Sequence, residues 1–325
     1  MRTRQLGSTD LHLSVLGIGS FALGGAQWKF SWGPQDDQAS VDAIVRAVEL
    51  GVNWIDTAPV YGYGHAEEVV GAALKRCRPK PLVATKCGSR WEADGTIYRR
   101  LRKASVHEEA EASLRRLGVD VIDLYQMHWP QPEAEIEEGW SAMADLVKAG
   151  KVRHIGLSNC SVAQMERLQT IHSIASLQPP YSLLHRDIEA DILPFCGRQH
   201  IGVVVYSPMQ KGLLTGAFSP ARRDSLPVQD HRRNDPMFAE PQFSATLVFV
   251  EKLATLAKAH QMSVAELALA WVLRRPELTA AIVGARRPAQ IEETIGAAGK
   301  DLSPSVLQEI ERLLDQRSRA LSARH

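Results

Sequence analysis

The chain has 325 residues, 45% of them apolar and 23% charged, with a formal net charge of +1 at pH 7. That size allows one large α/β barrel or two ordinary domains, with a substantial buried core in either case. Near-neutral charge gives no bulk attraction to nucleic acid or anionic membrane, no apolar run is long enough to cross a bilayer, and the opening MRTRQLGSTDLHLS lacks the apolar stretch of a signal peptide.

Strand-like and helix-like segments alternate along the chain. Residues 11–21 read as a strand, and 36–51 as a helix with Ala39, Ala43, Ile44, Ala47 and Leu50 on one face and Gly51 as its stop. A strand over 52–58 precedes a helix over 66–75, and a strand over 81–88 precedes a helix over 107–118. The strand at 121–128 is followed by a helix over 136–150, and the strand at 152–159 by a helix over 161–171. Residues 176–182 form a weak strand, interrupted by two prolines. A helix over 189–200 and a clear strand over 201–208 come next.

The rhythm breaks over 210–241, which is rich in Gly, Pro, Arg and Asp and has no apolar period. A loop that long is a lid, a binding loop or disordered. Its short basic groups, ARR at 221–223 and HRRND at 231–235, are expected to be solvated surface. Helices resume over 242–260 and 263–275, the latter opening with a Ser263/Glu266 capping box. Residues 280–285 make the last strand. A helix from 288 and a C-terminal helix and tail over 303–325 complete the chain.

Eight strand candidates separated by helices imply a parallel sheet, and eight units in one chain of this length favour a TIM-type (β/α)8 barrel spanning 1–325 as a single domain. The doubly wound alternative lacks its phosphate signature, since the glycines of GIGSFALGG at 17–25 do not read GxGxxG. Four scattered cysteines, Cys77, Cys87, Cys160 and Cys196, contain no CxxC pair, which suits a reducing cytoplasm and leaves no structural metal site.

In such a barrel the chemistry sits at the C-terminal ends of the strands. The second strand ends in Asp56 with Tyr61 in the following loop, the third ends in Lys86 and the fourth in His128. The fifth ends in Ser158 and Asn159, the sixth starts from Gln178, and the seventh ends in Tyr206 and Ser207. Each alone has an ordinary reading: Asp56 as a helix cap, Lys86 emerging into solvent, His128 as a satisfied core histidine. Together they suit proton donation to an oxygen gaining negative charge. A lysine beside a tyrosine favours the phenolate, an aspartate would hold that lysine charged, and a histidine can orient a carbonyl. That need arises when hydride reaches a carbonyl carbon.

The segments GVNWIDTAPVYG, VATKCG, DLYQMHW, GKVRHIGLSN, SLQPPYSLL, VVYSPMQKGLLTG and IVGARRPAQIEET, in this order between about residues 2 and 298, resemble the aldo-keto reductases. Their style is that of the bacterial branch similar to potassium-channel β subunits. The resemblance implies a TIM barrel with an N-terminal hairpin capping its bottom and NADPH bound across the strand ends. It implies Tyr61 as general acid, Lys86 and Asp56 lowering its pKa, and His128 positioning the substrate. Ser158, Asn159 and Gln178 would hold the nicotinamide carboxamide and Tyr206 would stack on its ring. Ser207, Met209, Gly212 and Leu213 would line the pyrophosphate path. Gly284, Ala285 and Arg286 would meet the adenosine 2′-phosphate, and Gln290, Glu293 and Thr294 the adenine side. The GARRP turn supports this end independently, because two arginines at a helix start with free N–H groups form an anion site. Thr294 replaces the usual Asn, and Ala217 stands where the family commonly has Lys.

Trp28, Trp32, Trp91 and Trp129 fall in loops after strands, where they could wall a pocket for an apolar or aromatic carbonyl. The expected activity is NADPH-dependent reduction of an aldehyde or ketone by a cytoplasmic enzyme with no nucleic-acid or membrane partner. The alternative is a cofactor-binding regulatory protein with slow turnover, like the channel β subunits.

Overall fold

Short apolar strands satisfy their backbone groups by pairing side by side. The computed structural model describes residues 1–323. The chain starts with an antiparallel hairpin, β1 (Thr3–Gln5) and β2 (His12–Ser14). Eight further strands close a barrel: β3 (Leu16–Gly19), β4 (Trp54–Asp56), β5 (Leu82–Cys87), β8 (Ile122–Met127), β9 (Val152–Ser158), β10 (Ser176–Gln178), β11 (Gly202–Val205) and β12 (Leu278–Gly284), which returns to β3. Every barrel pairing is parallel. The loop after β5 carries a small antiparallel hairpin, β6 (Ser89–Trp91) and β7 (Ile97–Arg99).

Around the barrel lie α1 (Asp37–Glu49), α2 (His65–Arg76), α3 (Lys103–Leu117), α4 (Ile136–Lys148), α5 (Val162–Gln169), α6 (Ile192–Gln199), α7 (Pro220–Asp224), α8 (Gln242–Ala259), α9 (Val264–Leu273), α10 (Pro288–Ile295) and α11 (Pro304–Ser322). None is long and apolar enough to cross a membrane among the described residues.

Strand side chains alternate between two environments. Outward residues such as Ile55, Val83, Tyr125, Ile155, Val203 and Val283 join the main core under the helices. Inward residues Trp54, Ala84, Leu124, Val204, Ala280 and Ile282 fill the barrel with Leu6, Leu11 and Leu13 of the first hairpin, which seals the bottom. Trp54 lies so close to Gly17 that a Cβ there would come within 2.1 Å of the indole. The bottom and middle of the barrel are therefore a solid plug, and side chains at its top are left for chemistry.

The structure corrects several sequence expectations. The strand expected over 11–21 is two strands: β2 belongs to the hairpin, β3 to the barrel. Trp54 Nε1 donates to the Ser14 carbonyl (2.9 Å) and the Asn53 Oδ1 accepts from Ser14 N–H (2.7 Å), so the break is made by residues some 40 positions away. The sixth strand ends at Gln178 instead of starting there, because Pro179 has no N–H to continue the ladder. The helix expected from 107 begins at Lys103, its first N–H accepted by Glu138 at 2.8 Å. Residues 210–241 are ordered into short helical turns over a small core of Leu213, Phe218, Leu226, Phe238 and Phe243. Of the expected C-terminal tail, positions 324–325 lie outside the described residues.

Candidate active site

Asp56, Lys86 and Gln178 end or nearly end their strands, and all three point into the top of the barrel. Lys86 is fully buried. Its ammonium contacts both oxygens of Asp56 (2.9 and 2.7 Å), the Thr57 carbonyl (2.8 Å) and the Tyr61 hydroxyl (3.3 Å). Gln178 Nε2 donates to Asp56 Oδ1 at 2.8 Å, and Gln126, also buried, adds a longer contact of 3.4 Å. The carboxylate is thus held on two sides, as a buried charge requires.

Tyr61 reaches this cluster from the loop after β4. Gly62, at φ +64°, lets that loop press against Gly24; a Cβ there would lie 2.1 Å from the Gly24 carbonyl oxygen. Phe21 and Trp28 pack on the phenol ring, 5.1 and 5.8 Å between centroids. Burial pushes the Tyr61 phenol well above 10, and the Asp56 carboxylate pushes the same way. This corrects the expectation that Asp56 and Lys86 lower it. Desolvation sets the direction, and the Asp56 carboxylate adds to it. Burial also lowers the Lys86 pKa, with Asp56 opposing.

His128 lies edge-on to Tyr61, 5.8 Å between ring centroids. Burial, then the charges of Lys86 and Arg99, keep its pKa well below 6.5, so the ring is neutral. Its Nδ1 faces Ser89 Oγ at 3.4 Å, and that hydroxyl accepts from Arg99 at 3.0 Å. The Ser89 hydroxyl, accepting from Arg99, can turn its own O–H to Nδ1, an arrangement that would leave the ring proton on Nε2.

These groups open into a cavity of about 910 Å³ that continues along the strand ends. Asp56, Tyr61, His128, Ser158, Asn159, Gln178, Tyr206, Ser207, Met209, Gly212, Gly284, Gln290, Glu293 and Thr294 all border it. So do Trp28, Trp32 and Trp129. Ser158 donates to the Gln178 carbonyl (2.8 Å), and Asn159 bridges the His128 carbonyl and the Tyr206 hydroxyl (3.1 and 2.9 Å). Asn159 and Ser207 hold left-handed backbone conformations at φ 60° and 54°, a strain common at binding sites.

Five expected residues sit elsewhere. Lys86 lies behind Asp56 and Tyr61. Leu213 is in the small core of the 210–241 segment, and Ala285 is buried beneath its turn. Trp91 packs at a tilt against Tyr63, 5.6 Å between ring centroids, instead of walling the cavity. Arg286 turns away: it donates to Gln35 and to the carbonyls of Trp32 and Pro34, holding the loop after β3. Arg287, the N-cap residue of α10, borders the cavity in its place.

Sequence reasoning missed others. HRRND at 231–235, read as solvated surface, contains Arg232, which is buried, paired with Asp230 at 2.5 Å and stacked 4.2 Å over Trp32. His231 packs at 5.7 Å on Phe21, and its N–H is accepted by the Ser31 carbonyl, so the 210–241 segment straps across to the loop after β3. Ser89, Ile97 and Arg99 also border the cavity. Asp94-Gly95 was the available signal for their hairpin.

The set fits a nicotinamide dinucleotide. Amide- and hydroxyl-bearing side chains (Ser158, Asn159, Gln178) adjoin the acid cluster, and cations (Arg222, Arg232, Arg287) border the same continuous cavity. Among the described residues no three His, Cys, Asp or Glu side chains are grouped as metal ligands.

A closed parallel barrel with a Tyr, Lys, Asp and His cluster at one end of a long cleft defines the class of carbonyl-reducing oxidoreductases that use a nicotinamide cofactor. Residues 16–315 match the aldo/keto reductase family, and the chain belongs to it. It is 36% identical over 318 residues to aldo-keto reductase YhdN of Bacillus subtilis, covering 97% of this chain and 94% of that one. It is likewise 36% identical over 317 residues to the NADH-specific methylglyoxal reductase of Escherichia coli, covering 93% and 95%. Among solved structures it resembles the glycerol dehydrogenase AKR11B4 of Gluconobacter oxydans, with a TM-score of 0.88 and 37% identity over 97% of this chain and 95% of that one.

Proposed function

We propose that the chain reduces an aldehyde or ketone with NADPH, Tyr61 acting as general acid. The observation that carries this is the Tyr61 hydroxyl, bordering the cavity and 3.3 Å from a lysine ammonium that is locked to a carboxylate. A bound reduced nicotinamide supplies the hydride. As the carbonyl oxygen gains negative charge, Tyr61 passes it the phenolic proton. The resulting phenolate is then stabilised by Lys86, which already points at that oxygen. A raised phenol pKa does not prevent this, because an alkoxide is a far stronger base than a phenolate. Neutral His128, with its proton on Nε2, orients the carbonyl by a hydrogen bond.

Ser158, Asn159 and Gln178 hold the cofactor's carboxamide, and Tyr206 packs on its ring. Arg287, exposed at the start of α10 and bordering the cavity, supports NADPH over NADH. The 210–241 strap serves as the lid over the pyrophosphate. Four buried free cysteines suit a cytoplasmic setting. Tyr61→Phe tests the reading: it should leave cofactor binding nearly intact and cut kcat by about 10²–10⁴-fold. A variant keeping half its activity would refute the role.

A further inference from the structure

Arg99 reaches the proposed chemistry only indirectly, through Ser89, and its own face toward the cavity is left without a partner. It lies on β7, directly across the hairpin from Ser89, and borders the cavity beside His128, Ile97 and Trp129. Its NH1 donates to Ser89 Oγ, and its guanidinium lies 5.6 Å from the Trp129 ring centre. Half-burial lowers its pKa, with no acidic group acting in the opposite sense. Among the described residues no carboxylate pairs with it. Of the other cations on the cavity, Arg232 is matched by Asp230 and Lys211 by Asp235, while Arg222 and Arg287 belong to the segments after β11 and β12 on the cofactor side.

A half-buried guanidinium facing a cavity with donors to spare is an anion receptor lacking its anion. Its position says which molecule would bring one. The cofactor-side groups sit on loops after β9 to β12, whereas Arg99 sits on the loop after β5, on the far side of His128. It is two hydrogen-bond lengths from the His128 ring through Ser89. We propose that the substrate is a carbonyl compound carrying a carboxylate or phosphate a few bonds from the reacting carbon, with Arg99 binding that anion and Trp129 and Ile97 flanking the linking carbons.

This rests on the reductase reading, and the test separates the two. Matched substrates differing in the anion are compared by steady-state kinetics: succinic semialdehyde against butanal, and glyceraldehyde 3-phosphate against glyceraldehyde. The wild type should prefer at least one charged member by about ten- to a hundred-fold in kcat/KM, the worth of a hydrogen bond to a charged group. The favoured pair identifies the anion. In Arg99→Met the charged member should lose at least ten-fold more than its neutral partner, mainly through KM, and Arg99→Lys should recover part of it. Turnover with no preference for either charged member, or equal losses on both members of the pair, would overturn the anion site while leaving the reductase reading intact. Titration with succinate under saturating cofactor gives a readout independent of turnover. Binding should weaken about ten-fold in Arg99→Met, and succinate binding that ignores Arg99, or no succinate binding together with no charge preference, overturns the proposal even if no aldehyde is reduced.

Discussion

The Lys86 ammonium grips both carboxylate oxygens of Asp56 in a site where neither side chain meets more than a trace of solvent. A buried pair of this kind is costly to form and more costly to break on one side. Lys86→Met should therefore abolish turnover and also remove about 3–5 kcal/mol of stability, since it strands the Asp56 charge. Lys86→Met combined with Asp56→Leu should regain most of the stability and none of the activity. Denaturant unfolding and NADPH absorbance read the two effects separately, and activity in the double variant would contradict the role given to Lys86.

The His128 ring is held below its ordinary 6.5 and the Tyr61 phenol above its ordinary 10.0. Neither group changes charge between these values, so His128 and Tyr61 should give kcat/KM for carbonyl reduction no limb between about pH 6.5 and 10, and a fall at the alkaline end would belong to Lys86, whose pKa burial lowers. A limb centred on 6.5 would show that His128 titrates as an exposed imidazole.

Cofactor preference should divide between two adjacent arginines. Arg287→Ala should weaken NADPH by up to about ten-fold and leave NADH nearly unchanged, because an exposed cation is partly screened. Arg286→Ala should weaken both cofactors together, because it frees the loop that Arg286 holds through Gln35, Trp32 and Pro34. Isothermal titration of each variant with each cofactor distinguishes them, and the reverse pattern would return the phosphate to Arg286.

Glu109 is buried against the Gly88 N–H, and desolvation raises its pKa to about 8. A carboxyl raised in the folded state binds more protons there than in the unfolded chain. Its contribution is full below the unfolded value near 4.5 and is lost as pH rises through about 8. Glu109→Gln should flatten that decline and leave the protein more stable than wild type above pH 8. Thermal unfolding across this range checks it, and a parallel decline in both proteins would show that another group is responsible.

The strap over 210–241 joins its own small core to the loop after β3 through the His231 N–H and the Ser31 carbonyl. Limited proteolysis should cut there more slowly once cofactor is bound. Equal cutting with and without cofactor would argue against a lid.

The sequence by itself determined the barrel, because the eightfold alternation of short apolar strands with helices has few other ways to bury its faces. It also placed Asp56, Lys86, His128, Ser158 and Asn159 at strand ends, where the period of two and the parallel topology bring them to one rim. Tertiary structure decided what local pattern cannot encode. Residues 11–21 became two strands because Asn53 and Trp54 bind Ser14 from across the chain. Arg286 and Arg287 are neighbours with similar sequence signals, and only the packing of the loop holding Gln35 turned one away from the cleft and left the other on it. Arg232, read as surface charge in the sequence, and Arg99, which the sequence did not single out, reach the cavity because the strap and the β6–β7 hairpin fold over the barrel mouth. The Tyr61 phenol rises instead of falling for the same reason: proximity of Lys86 is legible from spacing and family resemblance, but the depth of burial that sets the direction exists only once the barrel has closed.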